Sequence, residues 1–239
     1  MSHTSNFREA MRQAESQALV GPNVIANALP FVGGGLILTA LGAYAGLLAI
    51  PSGFFMPTFW LALIGSFALF FVAQNVAEAE NNSVALPLLA TYSLLTGYTL
   101  SGIIFVALST QGVGIEGIEV AALGCGLTFI VARPIASNLS DQDGMALTKT
   151  VGIGLGALVL VLVAQFLLAL FGVYTPTFLE VGISGLGVLL FAGMAVVDFY
   201  ILPRRYQDEQ YLSAALSMYL TYINLFVFIL RLLIAFNRD

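Results

Sequence analysis

The sequence predicts an all-α, polytopic membrane protein of seven transmembrane helices. Three observations carry that reading. The chain has 239 residues, of which 59% are hydrophobic and only 9% charged, against about 25% charged in a soluble domain. Its apolar residues fall into seven runs, each close to the ~20 residues that cross a bilayer. The chain carries 24 glycines, as expected where membrane helices pack backbone to backbone.

The first stretch, residues 1–23, is polar and mixed in charge. It reads as a cytoplasmic tail or short surface helix, with Phe7, Ala10, Met11 and Ala14 on one weakly apolar face. No short apolar region with a small-residue cleavage site follows it, so no cleaved leader is expected. Residues 24–239 form the membrane domain. The spans are expected at about 28–50, 54–75, 84–108, 117–137, 148–172, 179–202 and 211–236. The first carries Gly35, Thr39, Gly42 and Gly46 at packing spacing, and the third places Tyr92, Thr96 and Thr99 on one face. That second face serves either hydrogen bonding between helices or the wall of a polar cavity.

Orientation follows from lysine and arginine alone. With the N-terminus cytoplasmic, Arg8, Arg12, Arg133, Lys149, Arg204 and Arg205 lie inside, six of the eight basic residues. The opposite connections hold none. The C-terminus then lies outside.

The last two spans hold the polar residues that matter. The sixth, FLEVGISGLGVLLFAGMAVVDFYIL, contains Asp198. The seventh, YLSAALSMYLTYINLFVFILRLLIAF, places Ser217, Thr221, Asn224, Phe228 and Arg231 on one helical face, at steps of four, three, four and three. Such a stripe cannot face lipid without cost, since an unpaired ionisable group there costs roughly 2.5–3.5 kcal/mol or more. The seventh helix is therefore expected at the centre of the bundle, with Asp198 facing its stripe across a hairpin. Two readings of Asp198 stand. It pairs with Arg204 or Arg205 at the helix end, or it lies in a cavity where it binds a proton or a cation, with Thr221 and Asn224 donating to it. Arg231 is either a deeper counter-charge or a side chain reaching towards the outer interface.

Several chemistries are excluded. A retinal protein needs a lysine inside the bundle, and the single lysine, Lys149, sits at a helix end. GISG at 182–185 imitates an intramembrane serine protease, but Ser184 has no histidine base, since the one histidine is His3 in the tail. One cysteine, Cys125, and one histidine cannot build a metal cluster. The net charge of −5 argues against nucleic acid. No enzyme activity and no cofactor are expected, and the first partner is the lipid bilayer.

LLFAGMAVVDFYIL, Tyr211, AALSMYL and INLFVFILRLL resemble the last two helices of the Bax inhibitor family, the TMBIM group. The likeness covers about the last quarter of the chain in detail and the rest in length and hydropathy. It implies a bacterial inner (plasma) membrane protein with a central seventh helix. Members of the calcium-leak type carry two aspartates, one on each of these helices, which share a proton and gate a pore. Asp198 matches the first, Asn224 and Arg231 match their positions, and the second acid is replaced by Thr221. The cation that type carries near the end of its second helix is absent from FFVAQNVAE, where Gln74 and Asn75 stand. The YccA branch likewise has a small hydroxyl residue in place of the second acid and is associated with modulating the membrane-anchored protease FtsH. The resemblance thus implies either a leak for a cation, Ca²⁺ foremost, modulated by protonation of Asp198, or a non-transporting regulator of a membrane protease. The site residues in both are Asp198, Ser217, Thr221, Asn224 and Arg231.

Overall fold

The computed structural model describes residues 19–237. Most of the 1–23 tail, with His3, Arg8 and Arg12, and Arg238 at the other end lie outside the described residues. Seven helices long and apolar enough to cross a membrane follow one another: α1 Val24–Ala49, α2 Phe55–Glu78, α3 Asn82–Ser109, α4 Gly114–Ser137, α5 Asp141–Leu170, α6 Thr177–Arg205 and α7 Tyr211–Phe236. A single 3₁₀ turn, Asp208–Gln210, precedes α7. The described residues contain no strand. This is the architecture a bilayer demands, because a helix satisfies its own backbone groups where no water can.

Several helices overrun the apolar stretches that announced them. The clearest case is α5, which begins at Asp141 rather than near residue 148. Ser140 caps it: its hydroxyl accepts the Asp143 N–H at 3.1 Å and donates to the Asp143 carboxylate at 2.6 Å. Asp141 and Asp143 in the first turn favour the positive end of the helix dipole. Those extra two turns or so open on Asp141, Gln142, Asp143 and Gly144, so hydropathy alone does not register them.

α7 packs against α1, α2, α3, α4 and α6. Its core in one half of the bundle joins Ala215, Leu216, Met218 and Tyr219 to Val24 and Leu202. In the other half, Leu225 and Leu230 meet Ala107, Ala121 and Cys125. Cys125 is a buried free thiol, as one cysteine requires. α5 lies at the edge, packed on α6 and otherwise facing outward with a mostly apolar surface. Lipid is the solvent for that surface.

α1 and α3 approach most closely. A Cβ on Gly97 would strike the Thr39 carbonyl, and one on Gly42 would strike that of Leu94. The two glycines thus interlock backbone against backbone. Thr39 completes the seam, donating to the Ser93 carbonyl at 3.2 Å and sharing a 2.6 Å hydrogen bond with the Tyr219 hydroxyl of α7. The expected face of α3 divides: Tyr92 is buried against the Tyr219 ring, while Thr99 turns back on the Thr96 carbonyl at 2.8 Å.

The turn between α6 and α7 is clamped from three sides. Asn23 donates to the Asp208 carboxylate from its backbone at 2.8 Å and its side chain at 3.0 Å. Asn82 donates to the Glu209 carbonyl at 3.2 Å. Gln210 donates to the Glu78 carbonyl at 2.9 Å. Gly21 lies where any Cβ would meet the backbone of 206–208, and its N–H donates to the Pro203 carbonyl at 3.0 Å. These contacts fix where the α6–α7 hairpin closes, and so fix the site between its arms.

Candidate functional site

Asp198 sits in the sixth helix with 1% of its surface exposed. Both carboxylate oxygens are engaged by α7. Ser217 donates to Oδ1 at 2.9 Å and Thr221 to Oδ2 at 2.6 Å. The spacing explains the clamp: residues four apart stand one above the other on a helix, one turn or about 6 Å apart. Two hydroxyls at that separation straddle one carboxylate.

No cation pairs with Asp198 among the described residues. Arg204 and Arg205 go elsewhere. Arg204 lies 3.6 Å from Asp141 of α5, donates to the Tyr200 carbonyl at 2.7 Å and covers the Tyr200 ring at 4.0 Å. Arg205 lies 3.6 Å from Glu78 of α2. Helix geometry accounts for this. Arg204 is about 120° around the helix from Asp198, and Arg205, on the same side, is about 10 Å further along. Each finds a nearer acid on a neighbouring helix.

Asn224 does not donate to Asp198, contrary to the expectation from its position. Its side-chain amide turns back to the Leu220 carbonyl at 2.8 Å. It lies almost a turn beyond Thr221, and the carbonyl of its own helix is the acceptor it meets. Arg231 is held within the protein instead of reaching outward alone. Its guanidinium donates to Glu180 Oε1 at 3.1 Å and 2.6 Å, and lies 3.5 Å from Gln165 Oε1. Gln165 in turn donates to Thr175 at 2.9 Å and to Glu180 Oε2 at 3.2 Å. The two charged side chains are about four-fifths buried.

The end of the second helix, which carries no cation of its own, is polar nonetheless. Gln74 donates to Glu78 at 2.7 Å and to the Tyr206 hydroxyl at 3.1 Å, and Tyr206 donates to Glu78 at 3.2 Å. Burial raises the Tyr206 phenol above its ordinary range, which keeps it a neutral donor at this junction.

The family model for the inhibitor of apoptosis-promoting Bax1 matches residues 21–238. The chain belongs to the Bax inhibitor family. Its relatives include a Deinococcus radiodurans protein, 31% identical over 219 residues, covering 87% of this chain and 88% of the relative. The Lactococcus lactis protein YrjE is 29% identical over 231 residues, covering 93% and 90%. Mouse protein lifeguard 4 is 40% identical over a shorter stretch of 65 residues, 27% of each chain.

In this Bax inhibitor family chain the α7 residue that reaches Asp198 Oδ2 is Thr221, through its hydroxyl. Glu180 is the polar residue that sequence reasoning left without a role. Its only signal was an acid at the start of a span whose partner helix carries one arginine. Thr39, Ser93 and Tyr219 were likewise unlinked before the helices were seen together.

Proposed function

We propose that this chain is a cation leak channel, with Ca²⁺ as its ion, whose conducting form is set by protonation of Asp198. One observation supports this above the others: a carboxylate inside the bundle, tied to the next helix by two neutral hydroxyls and by no cation among the described residues. Such a group is expensive in a membrane and marks an ion or proton site by default. The chemistry of the clamp depends on its proton. An ionised carboxylate accepts from Ser217 and Thr221 together. A protonated one carries a donor of its own, so one hydroxyl must turn to accept or lose its partner. In the proposed orientation the face bearing Arg204 and Arg205 is cytoplasmic, with 1–23 as the cytoplasmic tail and 24–239 as the membrane domain of a bacterial inner membrane protein.

Ca²⁺ flux into proteoliposomes tests the reading. Wild type is expected to leak, and Asp198→Asn to lose most of the flux while eluting from a sizing column as wild type does. Flux that survives Asp198→Asn refutes it. A second reading has its own support. Thr221 in place of an acid, with both Asp198 oxygens already satisfied, suits a regulator of a membrane-anchored protease such as FtsH that transports nothing. In that case the liposomes stay tight, and the protein alters degradation of a membrane substrate by the reconstituted protease. Deleting residues 1–23 then weakens co-purification with the protease.

A further inference from the structure

Ser184 and Ser213 are completely buried, and neither hydroxyl has a hydrogen-bond partner among the described residues. A buried hydroxyl left unpaired costs about 1–3 kcal/mol, a cost that a water molecule admitted to the seam would relieve. Both lie on the seam that holds Asp198. Along α6, Glu180, Ser184, Gly187, Phe191 and Asp198 follow one face, and three contacts besides the clamp turn that face towards α7. Glu180 pairs with Arg231. Gly187 lies under the Phe228 ring, three atoms of which any Cβ there would strike. Phe191 stacks on Phe228, with centroids 5.5 Å apart and planes at 24°. Ser184 falls between Glu180 and Gly187. Ser213 stands one turn before Ser217 on α7.

The seam is therefore a row of polar groups with one apolar break. Phe228, 3% exposed, fills that break. At 1.5 Å per residue, Phe191 lies ~10 Å along α6 from both Ser184 and Asp198. Beyond the break, cavities of about 250 and 440 Å³ both border Glu180 and Arg231. The Arg231 guanidinium also lies 5.5 Å from the Phe228 ring centre, so the ion pair and the ring are in contact.

We propose that the α6–α7 seam is the path through this protein: Ser184 and the Glu180–Arg231 pair form an outer, hydrated compartment, and Phe228, seated on Gly187 and Phe191, is the plug between it and Asp198. An aromatic pair offers water no hydrogen bonds, and an apolar constriction closes a path by excluding water. That ions travel the path rests on the leak reading; the compartment and the plug do not.

The test separates the two. In a Cys125→Ala background, Ser184→Cys and Ser217→Cys are introduced singly. A membrane-impermeant cationic methanethiosulfonate is applied from the Arg231 side of oriented proteoliposomes. Ser184→Cys is expected to react and Ser217→Cys to stay protected. Adding Phe228→Ala is expected to expose Ser217→Cys, and in the native background to raise Ca²⁺ flux several-fold. Phe228→Leu, which keeps apolar bulk without a ring, is expected to give smaller changes in the same direction and carries the test should Phe228→Ala not fold. Three results overturn the proposal: protection of Ser184→Cys, reaction of Ser217→Cys with Phe228 intact, or continued protection of Ser217→Cys in the Phe228 variants. If labelling follows expectation and no variant passes Ca²⁺, the plug stands and the leak reading falls.

Discussion

Replacing Arg231 by methionine removes three contacts at once: the charged hydrogen bonds to Glu180, the approach to Gln165 and the cover over the Phe228 ring. Glu180 is left with Gln165 as its one remaining donor. Breaking a buried ion pair from one side costs about 3–5 kcal/mol. With each partner still about one-fifth exposed, Arg231→Met is expected near the bottom of that range, at about 3 kcal/mol. Glu180→Gln keeps an oxygen that can accept from the guanidinium, so its cost is expected at about 2 kcal/mol. The double variant leaves no unpaired charge and should cost little more than Arg231→Met alone. The cycle then gives a coupling of about 2 kcal/mol, clearly above the 0–1 kcal/mol of a solvated surface pair. Reversible unfolding in mixed micelles measures all four proteins. Losses that add to within about 0.5 kcal/mol would refute the claim that the pair acts as a buried unit.

Other outcomes follow from the same contacts. Thr221→Asp sets two carboxyl groups side by side, which cannot easily both ionise; it is expected to make Ca²⁺ flux steeper in pH between about 6 and 8 than in wild type, and an unchanged profile refutes the placing of residue 221 at Asp198. Ser217→Ala removes one of the two donors to a buried carboxyl and is expected to cost about 1–3 kcal/mol in micelle unfolding, with no loss if the hydroxyl bond is idle. Gly97→Ala presses a methyl group onto the Thr39 carbonyl and is expected to cost about 1–3 kcal/mol by overpacking. Gly34→Ala, with nothing within 4 Å of the added carbon, should cost nothing; equal losses at the two positions would show that α1 and α3 are not interlocked.

The seven spans were legible because the bilayer sets both their length and their composition. The clamp was legible in part: helical spacing put Ser217 and Thr221 on one face, and the hairpin brought Asp198 to it. The same spacing admitted Asn224, and only the geometry shows its amide turned back to the Leu220 carbonyl of its own helix. Arg231 was visible as a charge in an apolar helix, but Glu180 lies 51 residues earlier, and no periodicity registers which helix ends meet. The arginines at 204 and 205 were near Asp198 in sequence and far from it in angle or along the axis. Their true partners, Asp141 and Glu78, come from helices that only tertiary packing brings alongside.

The central position of α7 has a consequence for how the protein is made. Six helices enter the bilayer before the last has been translated, and five of them pack around it. Until it arrives, the Asp198 carboxyl has neither of its hydroxyls, Glu180 has no arginine, and Thr39 has no tyrosine. The early spans wait with their polar groups turned to lipid, to water or to whatever escorts them. Completion is then a single late event, in which one hydrophobic segment threads into a ring already present and satisfies several partners together. A chain stopped short of Tyr211 is thus a bundle without its axis, and its unsatisfied acids are the mark by which a membrane quality-control system could tell it from the finished protein.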